Sequence, residues 1–303
     1  MTQAPNRLRT RIYVDGYNLY YGCLKRSPYK WLDLRQLFDL ILPSVLYENQ
    51  GVPAKFALEP LAVKYFTAAI LKNFAKAEDS VASQNRYHDA LRGHIGDGIQ
   101  IIEGYYDCKP ARAHAYEKGK PARGCAVREI WKLEEKQSDV ALALHAYSDA
   151  LRGDVDHVVL VTNDTDIVPA LEMIRGHTQA IIGLVIPAKE GERTVNADLD
   201  KLSHWTRSHI LEPELAKAQM PTMVMHKSRP VQKPISWYPR PDLLLPIFEE
   251  AKRVKKSQGA ALKWLNQPCD RLGGRVPMRM AENELEAGEL RCYMQSYAEN
   301  FGI

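Results

Sequence analysis

His157-Val158-Val159-Leu160-Val161-Thr162-Asn163-Asp164-Thr165-Asp166-Ile167-Val168-Pro169-Ala170-Leu171 is the stretch that decides how this chain folds. An apolar, mostly β-branched run enters Asn-Asp-Thr-Asp, and apolar residues at helical spacing follow at once. A short apolar run bounded by turn residues predicts a strand buried on both faces. The acidic pair then falls at the strand's carboxyl end, where open α/β sheets place their sites. Two carboxylates there are helix caps or metal ligands.

Working outward, strands alternate with helices from residue 11 to residue 212. Strands are predicted at Arg11–Asp15, Leu61–Thr67, Gly98–Glu103 and Ala180–Ile186. Helices are predicted over residues 32–46 and Ser80–Gly93, the second stopped by its glycine, and over Ser138–Leu151 with Ser138 as cap. Another runs from about Ile167 to Arg175, and a short helix and terminal strand occupy residues 195–212. Cys108 to Cys125 reads as a long basic loop or hairpin, and Val127 to Lys136 as extended. The alternation argues for an α/β domain with a mostly parallel sheet and helices on both faces. Residues 213–240 are proline-rich without a period and read as a linker. Residues 241–303 carry helical periodicity only, a small all-helical module of about 60 residues. The expected division is therefore 1–212, 213–240 and 241–303.

Composition narrows the class little. The formal net charge is +4 with 45% hydrophobic residues, so a polyanionic partner is allowed but not demanded. No apolar run reaches the ~18 residues of a membrane span, and Met1 to Thr10 is polar without a leader's apolar core. The five cysteines are scattered without a C-x-x-C pair, which points to a reducing cytoplasm rather than a zinc or disulfide framework.

Taken singly, Asp139, Asp164 and Asp166 suit helix starts, where capping and the helix dipole favour them, and Asp15-Gly16 is a turn signal. Taken together they read differently. A parallel sheet brings Asp15, Asp164 and Asp166 to one edge, with Asp139 from a neighbouring helix start. Four carboxylates in one cleft repel unless a cation neutralises them. Oxygen-only ligands suit Mg²⁺ or Mn²⁺, and such a site suits phosphodiester hydrolysis. Of the pair, Asp164 is expected to face the metal and Asp166 to share its duty with the helix start. Asn18 and Thr165 are candidates to orient water or phosphate. His145 reads as an ordinary helix histidine.

Three segments carry a family resemblance. Val14-Asp15-Gly16-Tyr17-Asn18-Leu19-Tyr20, Trp131 through Ala143, and Val161-Thr162-Asn163-Asp164-Thr165-Asp166 resemble, in order, the motifs of the NYN family of PIN-like nucleases. The third departs slightly, with threonine at positions 162 and 165 where the family often has serine. The resemblance covers roughly residues 11–211. It implies a three-layer PIN-like α/β/α sandwich and metal-dependent RNA cleavage. It places Asp15, Asp139, Asp164, Asp166 and Asn18 at the family's positions. Residues 243–303 resemble the toxin-binding domain of Xre/ParS-type antitoxins, which implies a protein partner or self-association. The basic residues Lys109, Arg112, Lys120 and Arg123, and the run Lys252–Lys256, are candidates to follow a phosphate backbone, with tyrosines 105, 106 and 116 to stack bases. The expected function is a cytoplasmic endoribonuclease acting on single-stranded RNA. Its rivals are a non-catalytic RNA- or protein-binding regulator and a DNA-cleaving nuclease.

Overall fold

A computed structural model of the chain describes residues 7–49 and 51–301. The first six residues of the polar amino-terminal stretch lie outside the described residues. The chain divides into two compact units, residues 1–25 with 29–232, and residues 26–28 with 233–303.

The first unit is built on β1 (Arg7–Asp15), which feeds α1 (Gly16–Leu19) and a wide π turn over Tyr20–Leu24. α2 (Leu34–Ile41) follows, capped by the Asp33 carboxylate on the Gln36 amide. A small hairpin of β2 (Glu48–Asn49) and β3 (Val52–Pro53) leads to β4 (Lys55–Ala68). Then come α3 (Ser80–Ile95), β5 (Ile99–His114), β6 (Val127–Lys136) and α4 (Ser138–Leu151). The quoted stretch supplies β7 (His157–Val161), a 3₁₀ turn at Thr165–Ile167 and α5 (Val168–His177). β8 (Ile181–Val185), α6 (Ala197–Leu202), β9 (Trp205–Arg207) and α7 (Glu212–Lys217) complete the alternation.

The seven-stranded sheet runs β6-β5-β4-β1-β7-β8-β9. All its pairs are parallel except β5–β6. Both β7 and β8 are buried at every position, as continuous apolar runs require. Neighbouring residues on β4 show the layering. Tyr65 meets Tyr87 of α3, whereas Phe66 meets His145 of α4 on the opposite face. The expected α/β/α arrangement is therefore present. On the α4 face a core joins Tyr13, Phe66, Leu160 and Leu184 to Leu142, Leu171 and Leu199.

Three local expectations change. Ser138 is not the cap of α4: Gln137, at φ 78°, holds that position without a side-chain bond, and the Ser138 hydroxyl donates to the Thr67 carbonyl. Gly93 does not stop α3, which ends at Gly96 with φ 61°. Gly93 is small for another reason: a β-carbon there would lie 2.4 Å from the Met225 carbonyl oxygen. Met225 belongs to the hairpin of β10 (Met223–His226) and β11 (Arg229–Gln232), so much of the expected linker is ordered structure. Hydrogen bonds between distant segments hold it. Asp33 donates to the Ala218 carbonyl, Met220 to that of Trp31, and the Trp31 indole to that of Pro221. Such pairing leaves no periodic trace in a proline-rich sequence.

The second unit packs α8 (Pro241–Lys255), α9 (Gln258–Leu265), α10 (Pro277–Met280) and α11 (Glu284–Phe301). Its own core includes Leu244, Ile247, Phe248, Leu262, Leu265 and Leu290. Ser257 caps α9 by accepting from the Ala260 amide, as its position before the helix predicts.

Candidate metal centre

The carboxyl edge of the parallel strands gathers the acidic residues. Asp139 opens α4, and Asp164 and Asp166 follow β7. These three can each bring a carboxylate oxygen within 4.8 Å of the others'. Among the described residues, no lysine or arginine forms an ion pair with any of them.

Asp15 lies beside this group but is differently employed. It ends β1 and caps α1, its Oδ1 accepting from the Asn18 amide at 2.9 Å. Its Oδ2 accepts from the Asn18 side-chain amide and from the Thr162 hydroxyl at 3.0 Å. Burial pushes its pKa up, the Asn18 and Thr162 hydrogen bonds oppose that, and Asp164 adds repulsion. Gly16 lets the chain turn here at close quarters, since a β-carbon would lie 2.7 Å from the Phe66 carbonyl oxygen and the Tyr65 ring.

Asp139 feels the crowding most. Partial burial, then repulsion from Asp15, Asp164, Glu135 and Asp166, raises its pKa to about 6. The 3₁₀ turn after β7 is capped by Asp164, whose Oδ1 accepts from the Asp166 amide at 3.0 Å. The cap of this turn is therefore Asp164 and not the expected Asp166, because the Asp164 backbone is still extended at the point where the turn begins. Asp166 is exposed, with its carboxylate free of that task.

Thr165 is exposed, and the buried hydroxyl of the motif belongs to Thr162. Thr162 donates to Asp15 and accepts from the Asp164 amide at 3.1 Å, tying the two strand ends together. Asn163 accepts from the Asn196 amide and donates to the Thr194 carbonyl, which pins the loop bearing Arg193 over the edge. Arg193 reaches the Asn18 side-chain oxygen at 3.4 Å. His145 is not part of the cluster; Lys64 donates to its Nδ1 at 3.2 Å.

Glu135 is a fifth acidic neighbour that motif reading passed over. Burial raises its pKa, a hydrogen bond with Ser138 lowers it, and Asp15 raises it further. It sits at the root of the β5–β6 arm, paired with Tyr106. Residues directly opposite on an antiparallel pair share a face. One face of the arm therefore carries Tyr106–Glu135, Cys108–Leu133 and Pro110–Trp131, and the other carries Lys109–Lys132 and Asp107–Glu134.

The basic candidates are spread along this arm. Lys109 pairs with Asp107 at 3.0 Å, and Lys120 with Glu117 at 2.6 Å. Arg112 is exposed on the Trp131 face. Lys120 and Arg123 lie beyond the last strand pair, His114–Val127. That is about 30 Å from the root at the rise of an extended strand, so the structure does not bring them to the carboxylates. Lys252 and Arg253 lie in the second unit, paired with Glu249 and Glu250 of their own helix.

The NYN domain model matches residues 9–201, from the third residue of β1 into α6. The chain belongs to the NYN family. Its NYN segment contains Asp15, Glu135, Asp139, Asp164 and Asp166 and stops before the helices α8 to α11. Over 296 residues the chain is 48% identical to a Pseudomonas putida (strain DSM 28022 / S16) protein named 6-hydroxy-3-succinoylpyridine 3-monooxygenase HspA, covering 96% of this chain and 95% of that one. A crystal structure of a Vibrio parahaemolyticus protein of unknown function aligns with a TM-score of 0.39 at 20% identity, over 69% of this chain and 96% of that one. No helix among the described residues is long and apolar enough to cross a membrane.

Proposed function

We propose that this NYN protein is a divalent-metal-dependent nuclease that hydrolyses RNA phosphodiester bonds at the Asp139–Asp164–Asp166 cluster. One observation carries the reading: three carboxylates converge within 4.8 Å, and among the described residues no lysine or arginine forms an ion pair with them. Hard anionic oxygens of this kind suit Mg²⁺ or Mn²⁺. Such an ion, when bound, neutralises phosphate charge and acidifies a water. The chain's own groups supply the positioning. Asp15 stands behind the cluster, held by neutral donors, and Thr162 couples it to Asp164. Arg193 and Asn18 stand at the rim, where a guanidinium can hold a phosphate oxygen. Arg112, opposite Glu129 on the arm, is a further guanidinium that a phosphate could meet.

Asp164→Asn is the test. Metal-dependent cleavage of single-stranded RNA should fall about a thousandfold, equivalent to ~4 kcal/mol, with the fold retained by circular dichroism. Equal cleavage by both proteins retires the site. A matched DNA oligonucleotide in the same digest decides between RNA and DNA. Binding of RNA in EDTA with no cleavage in any divalent metal favours the non-catalytic regulator.

The 48% identity across nearly all of both chains favours a second reading, oxygenation of a hydroxypyridine such as the one in the relative's name. Tyr17, Tyr21 and Tyr106 beside the carboxylates would suit a planar ring. Dioxygen uptake with that pyridine and a reduced nicotinamide or flavin donor, run alongside the RNA digest, separates the two. The five free cysteines suit the cytoplasmic location proposed for either activity. If residues 243–303 act as the antitoxin domains they resemble do, a protein contact or self-association joins the proposal.

A further inference from the structure

We infer that the Trp131 face of the β5–β6 arm is a stacking track for unpaired bases, leading a single strand away from the carboxylates. The inference rests on the nuclease reading above. Four observations carry it. Trp131 is 68% exposed and Leu133 42%, although large apolar side chains on a strand are ordinarily covered. Register places both on the same face as Tyr106 and Glu135. Glu135 is hydrogen-bonded to Ser138, the residue before Asp139 at the start of α4, so the apolar strip begins beside the cluster. At the near end Tyr17 and Tyr21 form a half-exposed ring pair with centroids 4.4 Å apart, and Lys25 lies 4.5 Å from the Tyr21 centroid.

The spacing selects the occupant. Trp131 lies four residues from Glu135 along β6, about 13 Å of extended strand. That is beyond the reach of a single ring held at the carboxylates, but within the reach of neighbouring units of one chain. A base presents a π face to indole whatever its identity, so the track is indifferent to sequence and demands only that bases be unpaired. The opposite face of the arm carries Tyr105 and Ile130 too, but sets them among ion pairs such as Lys136–Glu134 and offers no exposed indole. Arg112 shares the Trp131 face and can meet the phosphates of the same strand.

The experiment is anisotropy of a labelled uridine homopolymer, free and as its duplex with an adenosine homopolymer, titrated with the full chain in EDTA. Trp131→Ala should weaken single-strand binding about tenfold, in the range that one stacked base contributes. Trp131→Phe should restore most of it, and the duplex should not distinguish the three proteins. Trp131 is exposed, so unchanged thermal melting is expected of both variants. Absence of single-strand binding by the wild type, or equal binding by Trp131→Ala, overturns the track. So does a change of mass by sedimentation in Trp131→Ala, which would show the face seating a second copy. The readout needs no turnover. Trp131-dependent binding without cleavage sinks the nuclease reading and keeps the track, whereas cleavage untouched by Trp131→Ala does the reverse.

Discussion

α4 carries two aspartates, one near each end, and the protein treats them in opposite ways. Asp149 is buried and accepts from Lys64 at 2.6 Å, Tyr13 at 2.7 Å, Arg11 at 2.8 Å and Arg152 at 2.9 Å. Burial pushes its pKa up, but the Lys64, Tyr13 and Arg11 hydrogen bonds outweigh that and hold it below the usual range. Asp139 has only carboxylate neighbours of consequence, and its pKa rises to about 6. The geometry behind this contrast is simple. Arg11, Tyr13 and Asp15 alternate onto the α4 face of β1, spanning about 13 Å. Asp149 to Asp139 spans about 15 Å of helix running the other way. Helix and strand thus lie alongside, with cations meeting Asp149 at one end and Asp15 meeting Asp139 at the other. Asp149 shows what a carboxylate looks like when this fold uses it structurally. The carboxyl edge does not look like that, and the difference is what points to an external cation.

The sharpest way to break the comparison is to remove each aspartate in turn. Asp149→Ala leaves Lys64 and Arg11 buried without their partner. Removing one member of a buried pair costs about 3–5 kcal/mol, read as a lower urea midpoint. Asp139→Ala, in EDTA, should be neutral or stabilising, because it relieves repulsion. If both variants lose stability alike, the two ends are not different in kind.

Much of this was legible in the sequence. The apolar runs at Val158–Val161 and Ile181–Val185 announce strands covered on both faces, and the alternation with helices brings the aspartates to one edge. Glu135 was not legible, because a glutamate in a strand of alternating charge looks solvated until the register sets it beside Tyr106. Thr162 was passed over for Thr165 since only the fold shows which hydroxyl turns inward. Asp149 carries no motif at all: its partners lie 138, 136 and 85 positions away in the chain. The cap at Asp164 depends on where the backbone leaves extended geometry, a matter of one or two residues that pattern does not resolve.

Metal addition sharpens the same contrast. A cation bound only by the folded protein stabilises it by RT ln(1 + [L]/Kd), about 2.7 kcal/mol at a hundredfold excess over Kd. Mg²⁺ or Mn²⁺ should therefore raise the melting temperature of the wild type and of Glu250→Gln, whose carboxylate is paired with Arg253 in the second unit. It should fail to do so for Asp139→Asn or Asp164→Asn. An equal shift in all four proteins would mean that the ion binds elsewhere.

The smallest effect concerns a polar group at the amino end of the sheet, whose two ring nitrogens both have partners. His157 is fully buried at the start of β7. The Trp205 indole donates to its Nε2 at 3.0 Å, so that nitrogen must be the acceptor. Nδ1 then carries the proton and faces the Thr10 hydroxyl, which donates onward to the Leu8 carbonyl. A second proton would set Nε2–H against the indole N–H, in a site already closed to water. Burial, with a lesser contribution from His204, accordingly lowers the pKa from 6.5 to about 3. The unfolded chain takes up this proton first, so the stability held above the unfolded pKa drains as pH falls from 6.5 toward 3. Between about pH 7 and pH 5 the loss is roughly 2 kcal/mol. In His157→Gln, which keeps an acceptor for Trp205 but has no proton to gain, that part of the slope should vanish. Urea midpoints that decline in parallel for the two proteins would mean that His157 titrates much as it does in the unfolded chain, and that the amino end of the sheet is less completely satisfied than its bonds indicate.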